Sequence, residues 1–183
     1  TATALSTLGG KTTGTVTVSN AIAISGTQSE ITAALVTPGT LVVAATATVT
    51  SSDAMSVTEA NAVDAKTSGV ITATLDTGNA ASFSDLTGTD NAYTVTVSGS
   101  ISVTNVNTLD TKTTGAITAT VISATAATLT TVTINDANSN NDIDVAVTAL
   151  HSTLAADLSG LSTTSGTVTA AFDSSGTFTG DLG

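Results

Sequence analysis

Residues 109–120 read LDTKTTGAITAT, and residues 63–74, 46 positions upstream, read VDAKTSGVITAT. Residues 8–18, LGGKTTGTVTV, repeat the phrase, and residues 161–171, LSTTSGTVTAA, repeat it without the lysine. A phrase that returns at wide and similar intervals is typical of a protein built from tandem structural units. All three lysines of the chain lie in this phrase: Lys11, Lys66 and Lys112.

Pairs of apolar residues three positions apart, such as Ala60 and Val63, recur along the whole chain. A spacing of three places both side chains on one face of a helical turn. The sequence therefore predicts seven units within a single repeat domain covering residues 1–183, which stands alone or continues in a longer chain. The units begin near residues 4, 30, 59, 82, 105, 128 and 157.

Apolar and threonine residues alternate after each helical pair, as in residues 71–74, ITAT. Alternation with a period of two indicates a strand with its branched apolar side chains inside and its threonines outside. We therefore predict a mainly β fold. It is a parallel β-solenoid of about seven coils of 23–29 residues, each with a short helical turn and one strand, often two. An antiparallel β-sandwich with a turn about every 8–12 residues is the alternative.

Composition limits the function. Fourteen acidic residues against three basic ones give a net charge of −11, which leaves no basic surface for nucleic acid or anionic lipid. No apolar run reaches the roughly 20 residues that span a bilayer, so we predict neither a nucleic-acid partner nor membrane insertion. With no Cys, no Arg and a single His, His151, the chain lacks the parts of nucleophilic and phosphoryl-transfer chemistry, and we do not expect an enzyme.

Oxygen-bearing side chains stand at alternate positions in residues 136–144, DANSNNDID. This spacing resembles that of loops that wrap calcium, although Asn141 stands where an EF-hand loop has Gly, and Val147 where it has its bidentate Glu. A turn rich in Asn and Asp is the alternative, because these residues bond to their own main chain. The predicted Ca²⁺ ligands are Asp136, Asn138, Asn140, Asp142 and Asp144.

Lysines and aspartates occupy corresponding corners of alternate units. If the units stack in register, these residues form a column of alternating charge. An exposed ion pair contributes only about 0–1 kcal/mol to the free energy of unfolding, so the column would fix the register of the units more than it would stabilise the fold. Three solvated lysines in a copied phrase are the alternative. The predicted cross-coil charge column consists of Lys66, Asp90, Lys112 and Asp136.

Threonine pairs separated by one residue point outward from the predicted strands. An array of such pairs resembles the ice-binding face of threonine-rich β-solenoid antifreeze proteins, although Thr is also a common residue on exposed strands. The threonines of this possible face are Thr72, Thr74, Thr94, Thr96, Thr118 and Thr120.

The phrases LDTKTTGAITAT and LTGTDNAYTVTVSG resemble the tandem units of very large bacterial "beta strand repeat" surface proteins of the cyanobacterial type. The resemblance covers most of the chain and is strongest over residues 56–126. It implies a secreted, extracellular or cell-surface structural protein, a subunit or segment of a surface layer, sheath or filament. An adhesin segment and a threonine-face ice-binding protein are the alternatives. Because neither end of the sequence resembles a polar cap, we expect end-to-end self-association or continuation in a longer chain.

Overall fold

The computed structural model describes residues 1–124, 141–148 and 168–171, in which each helix is followed by one or more strands. The helices are α1 (Ala2–Gly9), α2 (Gln28–Leu35), α3 (Val57–Asp64), α4 (Ala80–Ser84) and α5 (Val103–Asp110). The strands are β1 (Val16–Thr17), β2 (Ala23–Gly26), β3 (Val42–Val43), β4 (Thr48–Ser51), β5 (Ile71–Thr74), β6 (Ala92–Ile101), β7 (Ile117–Ala124), β8 (Asp142–Thr148) and β9 (Val168–Ala171).

The prediction of a mainly β parallel solenoid is wrong. The chain is a mixed α/β structure, with an open parallel sheet in place of closed coils of one or two strands. Four of the first five apolar pairs lie within helices, and the other has Phe83 in α4 and Leu86 two residues beyond its end. The four helices that contain a whole pair have eight residues, about two turns each, where the sequence predicted a short turn. The antiparallel alternative is not found either, because every described strand pair is parallel. The units predicted near residues 128 and 157 lie outside the described residues.

Side-chain caps explain why these helices extend beyond one turn. The hydroxyl of Thr27 accepts a hydrogen bond from the N–H of Glu30, and the Glu30 carboxylate accepts one from the N–H of Thr27 at 2.8 Å. Ser56 and Glu59 repeat this reciprocal pair at the start of α3, and Ser102 caps α5 with its hydroxyl. Each cap satisfies N–H groups that the first helical turn leaves without partners.

The chain divides into two compact units. The first comprises Thr1–Asp76, Asp85–Val95 and Lys112–Gly115, and the second comprises Thr77–Ser84, Thr96–Thr111 and Ala116–Gly183. In the first unit β2, β4, β5 and the start of β6 are neighbours in that order, and β1 pairs with β3 in a separate two-stranded sheet. In the second unit β7, β8 and β9 are neighbours in that order.

The core of the first unit is built from one face of each strand. Ile24, Val49 and Ile71 occupy successive register positions on β2, β4 and β5, and all three are buried. The threonines between such residues are exposed, as Thr50 and Thr72 show. Apolar residues of α2 and α3 complete this core. In the second unit the buried residues include Val97, Ile101, Val106, Leu109 and Ile117.

The lysine phrase forms the same turn at residues 11–14, 66–69 and 112–115, which we name the KTxG turns. In each turn the threonine Oγ1 accepts a hydrogen bond from the glycine N–H two residues later, at 3.0, 3.1 and 2.9 Å in chain order. In the second and third turns this hydroxyl is buried and also donates to a neighbouring carbonyl. Thr67 donates to Ala47, just before β4, and Thr113 donates to Tyr93 in β6 at 2.7 Å.

The glycines of these two turns allow the neighbouring backbone to come close. A Cβ atom on Gly69 would overlap the carbonyl oxygen of Ala47, and one on Gly115 would overlap that of Tyr93. Gly14 occupies the same place in the first turn, but there the nearest atom to an added Cβ is Thr12 Oγ1 at 3.6 Å. Glycine is therefore required where a strand lies beside the turn.

We predict that Gly115→Ala lowers the free energy of unfolding by about 1–3 kcal/mol, because the added methyl must push β6 away from the turn. Gly14→Ala is the matched control, since it makes the same change in the same four-residue phrase with room for the methyl group. Its effect should stay within about 1 kcal/mol of wild type. Urea denaturation of both variants measures the difference, and equal losses at the two glycines would contradict the role given to the close backbone approach.

Candidate functional site

A polar pocket of about 150 Å³ lies in the first unit and is lined by residues 64, 67–70 and 89–91. Three neighbouring segments form it: the end of α3, the KTxG turn at residues 66–69, and the loop that leads into β6. Six of its eight lining residues have polar side chains, which makes it a candidate site for binding or chemistry.

The side chain of Asn91 links two of the segments beside this pocket through hydrogen bonds. The side chain is buried, with 3% of its surface exposed. Its Nδ2 donates to Asp64 Oδ1 at 2.8 Å, and its Oδ1 accepts from the N–H of Ile71 at 2.8 Å. One amide therefore joins the end of α3 to the start of β5. The second unit contains an equivalent contact, because Asn141 Oδ1 accepts from the N–H of Ile117 at 2.7 Å.

The sequence patterns did not predict this role for either asparagine, and Asn141 entered them only as the residue in place of the EF-hand glycine. Asn91 directly precedes β6 and Asn141 directly precedes β8, and both are buried. The available signal was their shared position, one residue before an alternating stretch in two different units. A buried amide can satisfy the first N–H of a neighbouring strand, which that strand's own ladder leaves open.

The loop before β6 has an unusual backbone. Gly88 and Asp90 adopt positive φ values of 67° and 68°. Glycine is needed at position 88 because an added Cβ would lie 2.8 Å from the carboxylate oxygens of Asp64 and 2.9 Å from Asn91 Nδ2. Asp is among the residues that tolerate the left-handed region. The pocket is thus a corner in which carboxylate, amide and hydroxyl groups fix the backbone.

Tyr93 follows this loop and points into the core, with 1% of its surface exposed. Its hydroxyl has no hydrogen-bond partner among the described residues. Burial raises the pKa of the Tyr93 hydroxyl well above its ordinary value, and the negative charge of Asp64 raises this pKa further. A buried hydroxyl without a hydrogen-bond partner costs about 1–3 kcal/mol of folding free energy, so the Tyr93 hydroxyl lowers the stability of the core.

We predict that Tyr93→Phe raises the free energy of unfolding by about 1 kcal/mol or more, because it removes the unpartnered oxygen and keeps the ring. The pKa of Tyr93 is higher in the folded protein than in the unfolded chain. The folded protein therefore keeps the Tyr93 proton at pH values at which the unfolded chain loses it. Wild-type stability should therefore fall as the pH rises through about 10. Tyr93→Phe should not show that loss. Urea denaturation at neutral and alkaline pH measures both effects, and a less stable Tyr93→Phe would mean that the hydroxyl has a partner.

The structure places three of the four charge-column residues at neighbouring corners of the first unit. Asp90 lines the pocket beside the turn that contains Lys66. The next residue, Asn91, accepts a hydrogen bond through its carbonyl from the N–H of Thr114 at 2.8 Å, so the turn that contains Lys112 also adjoins this loop. Asp136 lies outside the described residues, and the column stays a prediction.

The predicted calcium ligands lie only in part within the described residues. Asp136, Asn138 and Asn140 are outside them, whereas Asp142 and Asp144 belong to β8 and pair in register with Thr118 and Thr120 of β7. In the part of the chain that the structure describes, no group of three or more His, Cys, Asp or Glu side chains is placed to hold a metal ion. Calcium binding stays a prediction.

The six threonines of the predicted face are all exposed. Their alignment is irregular, because Thr74 stands beside Thr94 while Thr72 stands beside Ala92. On β7 the neighbours across the ladder are the aspartates of β8. An ice-binding role requires a regular array of threonines, and it also stays a prediction.

Within the described ranges, none of the helices is long and apolar enough to cross a bilayer. Comparisons of the chain with protein-family models, with curated proteins and with solved structures find no match.

Proposed function

We propose that this chain is an extracellular structural repeat protein, a subunit or segment of a surface layer, sheath or filament. The observation that carries this proposal is the repeated use of one contact. The buried hydroxyl of the KTxG turn and the glycine after it hold a neighbouring backbone segment in two successive turns, with Thr67 on Ala47 and Thr113 on Tyr93. Repetition of one packing contact along a chain is typical of proteins whose task is to extend a regular surface.

The composition supports the same proposal. With three lysines and no arginine, the chain offers few sites to proteases that cleave after basic residues, and it has no Cys and one Met to oxidise. The pocket at Asp64 and Asn91 uses its polar groups to fix the backbone. A durable material outside the cell fits these properties, and we propose that the protein is secreted or held at the cell surface.

End-to-end self-association, or continuation of the repeat in a longer chain, belongs to this proposal. The net charge of −11 makes copies repel one another, so assembly should be favoured at physiological salt, where charges more than about 8 Å apart are screened.

We predict that the purified chain forms filaments or sheets at physiological salt and fewer of them at low salt, where the mutual repulsion is stronger. Negative-stain electron microscopy together with light scattering measures this. The control is the same preparation in urea above its unfolding midpoint, which should contain no ordered assemblies. Monodisperse single chains under all folded conditions would contradict the proposed function.

A further inference from the structure

The carboxylate of Glu30 lies where three elements of the first unit meet. Its Oε1 accepts a hydrogen bond from the hydroxyl of Thr3 in α1 at 2.6 Å, and its Oε2 accepts one from the N–H of Thr27 at 2.8 Å. A Cβ atom on Gly26, the last residue of β2, would lie 2.7 Å from Glu30 Oε2 and 3.1 Å from the Cβ of Ala2. One carboxylate thus caps its own helix, α2, bonds to α1 and lies against the end of β2.

The corresponding carboxylate of α3 makes no such link between helices. Glu59 is the third residue of α3, as Glu30 is of α2, and both form the same reciprocal cap. Among the described residues, Glu59 accepts hydrogen bonds from the N–H and the hydroxyl of Ser56, each at 2.8 Å and each through Oε2. The bond from Thr3 to Glu30 is therefore an addition that the cap itself does not require.

The link joins a charged acceptor to neutral donors. A hydrogen bond to an ionised group is stronger than one between neutral groups. The hydrogen bond from Thr3, and after it that from the N–H of Thr27, lowers the pKa of Glu30 below its ordinary value of 4.5. Because the folded pKa is the lower one, the stability that these bonds contribute is present at neutral pH. It is lost as the pH falls through the folded pKa.

The elements packed against the start of α2 contain few other charged groups. The helix α1 and the strands β2, β3 and β4 contain no charged side chain, and the amino group of Thr1 is the smallest of the causes that lower the pKa of Glu30. The loop after β4 contributes Asp53, whose Oδ1 accepts a hydrogen bond from the N–H of Gln28 at 2.5 Å. The start of α3 contributes Glu59. A test must separate these two carboxylates from Glu30.

We infer that Glu30 is an acid-sensitive link between α1 and α2. While its carboxylate is ionised, it holds the hydroxyl of Thr3 and the cap of α2 at the same time. Protonation removes the charge that strengthens both hydrogen bonds and converts one of the two acceptor oxygens into a hydroxyl. The helix α1 then opens from α2 more often. The inference concerns a single chain, so it does not depend on the proposed function.

Hydrogen exchange of the full chain in dilute solution, followed by mass spectrometry, measures how often α1 opens. At neutral pH, Glu30→Gln keeps one acceptor oxygen and removes the charge, so protection of the α1 amides should fall by about threefold or more. The matched control is Glu59→Gln, which makes the same change in the cap of α3 and should leave protection of α1 as in wild type. Unchanged protection of β5 shows that both variants fold. Equal protection of α1 in wild type and Glu30→Gln would overturn the inference.

The donor of the link is tested at Thr3. Thr3→Val removes the hydroxyl and should also lower the protection of α1, whereas Thr58→Val, at the corresponding second position of α3, should not. In the double variant of Thr3→Val and Glu30→Gln, the two losses should be less than additive, because each substitution acts on the same hydrogen bond. Full additivity would mean that the two side chains act separately, which contradicts the link.

Acid separates Glu30 from the neighbouring carboxylates. When the pH is lowered from about 7 to about 3.5, protection of α1, corrected for the intrinsic exchange rate, should fall further in wild type than in Glu30→Gln. Asp53 and Glu59 are present in both proteins, so their protonation cancels in this comparison. Equal losses in the two proteins would show that Glu30 is not the acid-sensitive group.

Discussion

The contact between a buried threonine hydroxyl and the adjacent strand is the constraint on which the first unit depends. Thr113 Oγ1 accepts hydrogen bonds from the N–H groups of Tyr93 and Gly115, at 2.8 and 2.9 Å, and donates to the carbonyl of Tyr93 at 2.7 Å. One donor and two acceptor sites are all that a hydroxyl has, so this group is fully used. Position 115, two residues after this threonine, is a glycine because the backbone of β6 occupies the space that a side chain would fill.

This constraint explains the form of the repeated phrase. Threonine and glycine make the contact with the neighbouring backbone, whereas the lysine before them lies at the outer corner, exposed at Lys66. The fourth copy of the phrase, residues 161–171, has lost the lysine but keeps Thr164 and Gly166. A solvated lysine contributes little to the free energy of unfolding, whereas a buried hydroxyl that bonds to a strand contributes more. This difference explains why the phrase can lack its lysine and keep its threonine and glycine.

Local patterns in the sequence predicted local structure well. Apolar pairs such as Ala60 and Val63 lie in helices, and the threonines of ITAT in residues 71–74 are exposed on β5 as their alternation indicated. The fold class was wrong because each pair was taken as one turn. The reciprocal caps at Thr27 and Ser56, with Glu three residues later, were visible in the sequence and indicate full helices.

The candidate site was harder to predict, because it depends on residues distant in sequence. Asn91 bonds to Asp64 and to Ile71, 27 and 20 residues away, and neither partner stands out by type or spacing. Asp90, a residue of the predicted charge column, lines the pocket, and the turn that contains Lys66 adjoins it. The uncharged side chains of this corner owe their role to burial, which a single sequence does not show.

The free energy of unfolding of Thr113→Val, compared with that of Thr12→Val, tests the central claim most directly. Both variants replace the threonine of a KTxG turn with a residue of the same shape. Thr12 is exposed, and among the described residues its hydroxyl bonds only to the N–H of Gly14 in its own turn, so the loss of this hydroxyl should cost about 0.5 kcal/mol or less. Thr113→Val leaves the N–H of Tyr93 buried without a partner and should cost about 1–3 kcal/mol. Equal costs at the two positions would contradict the account.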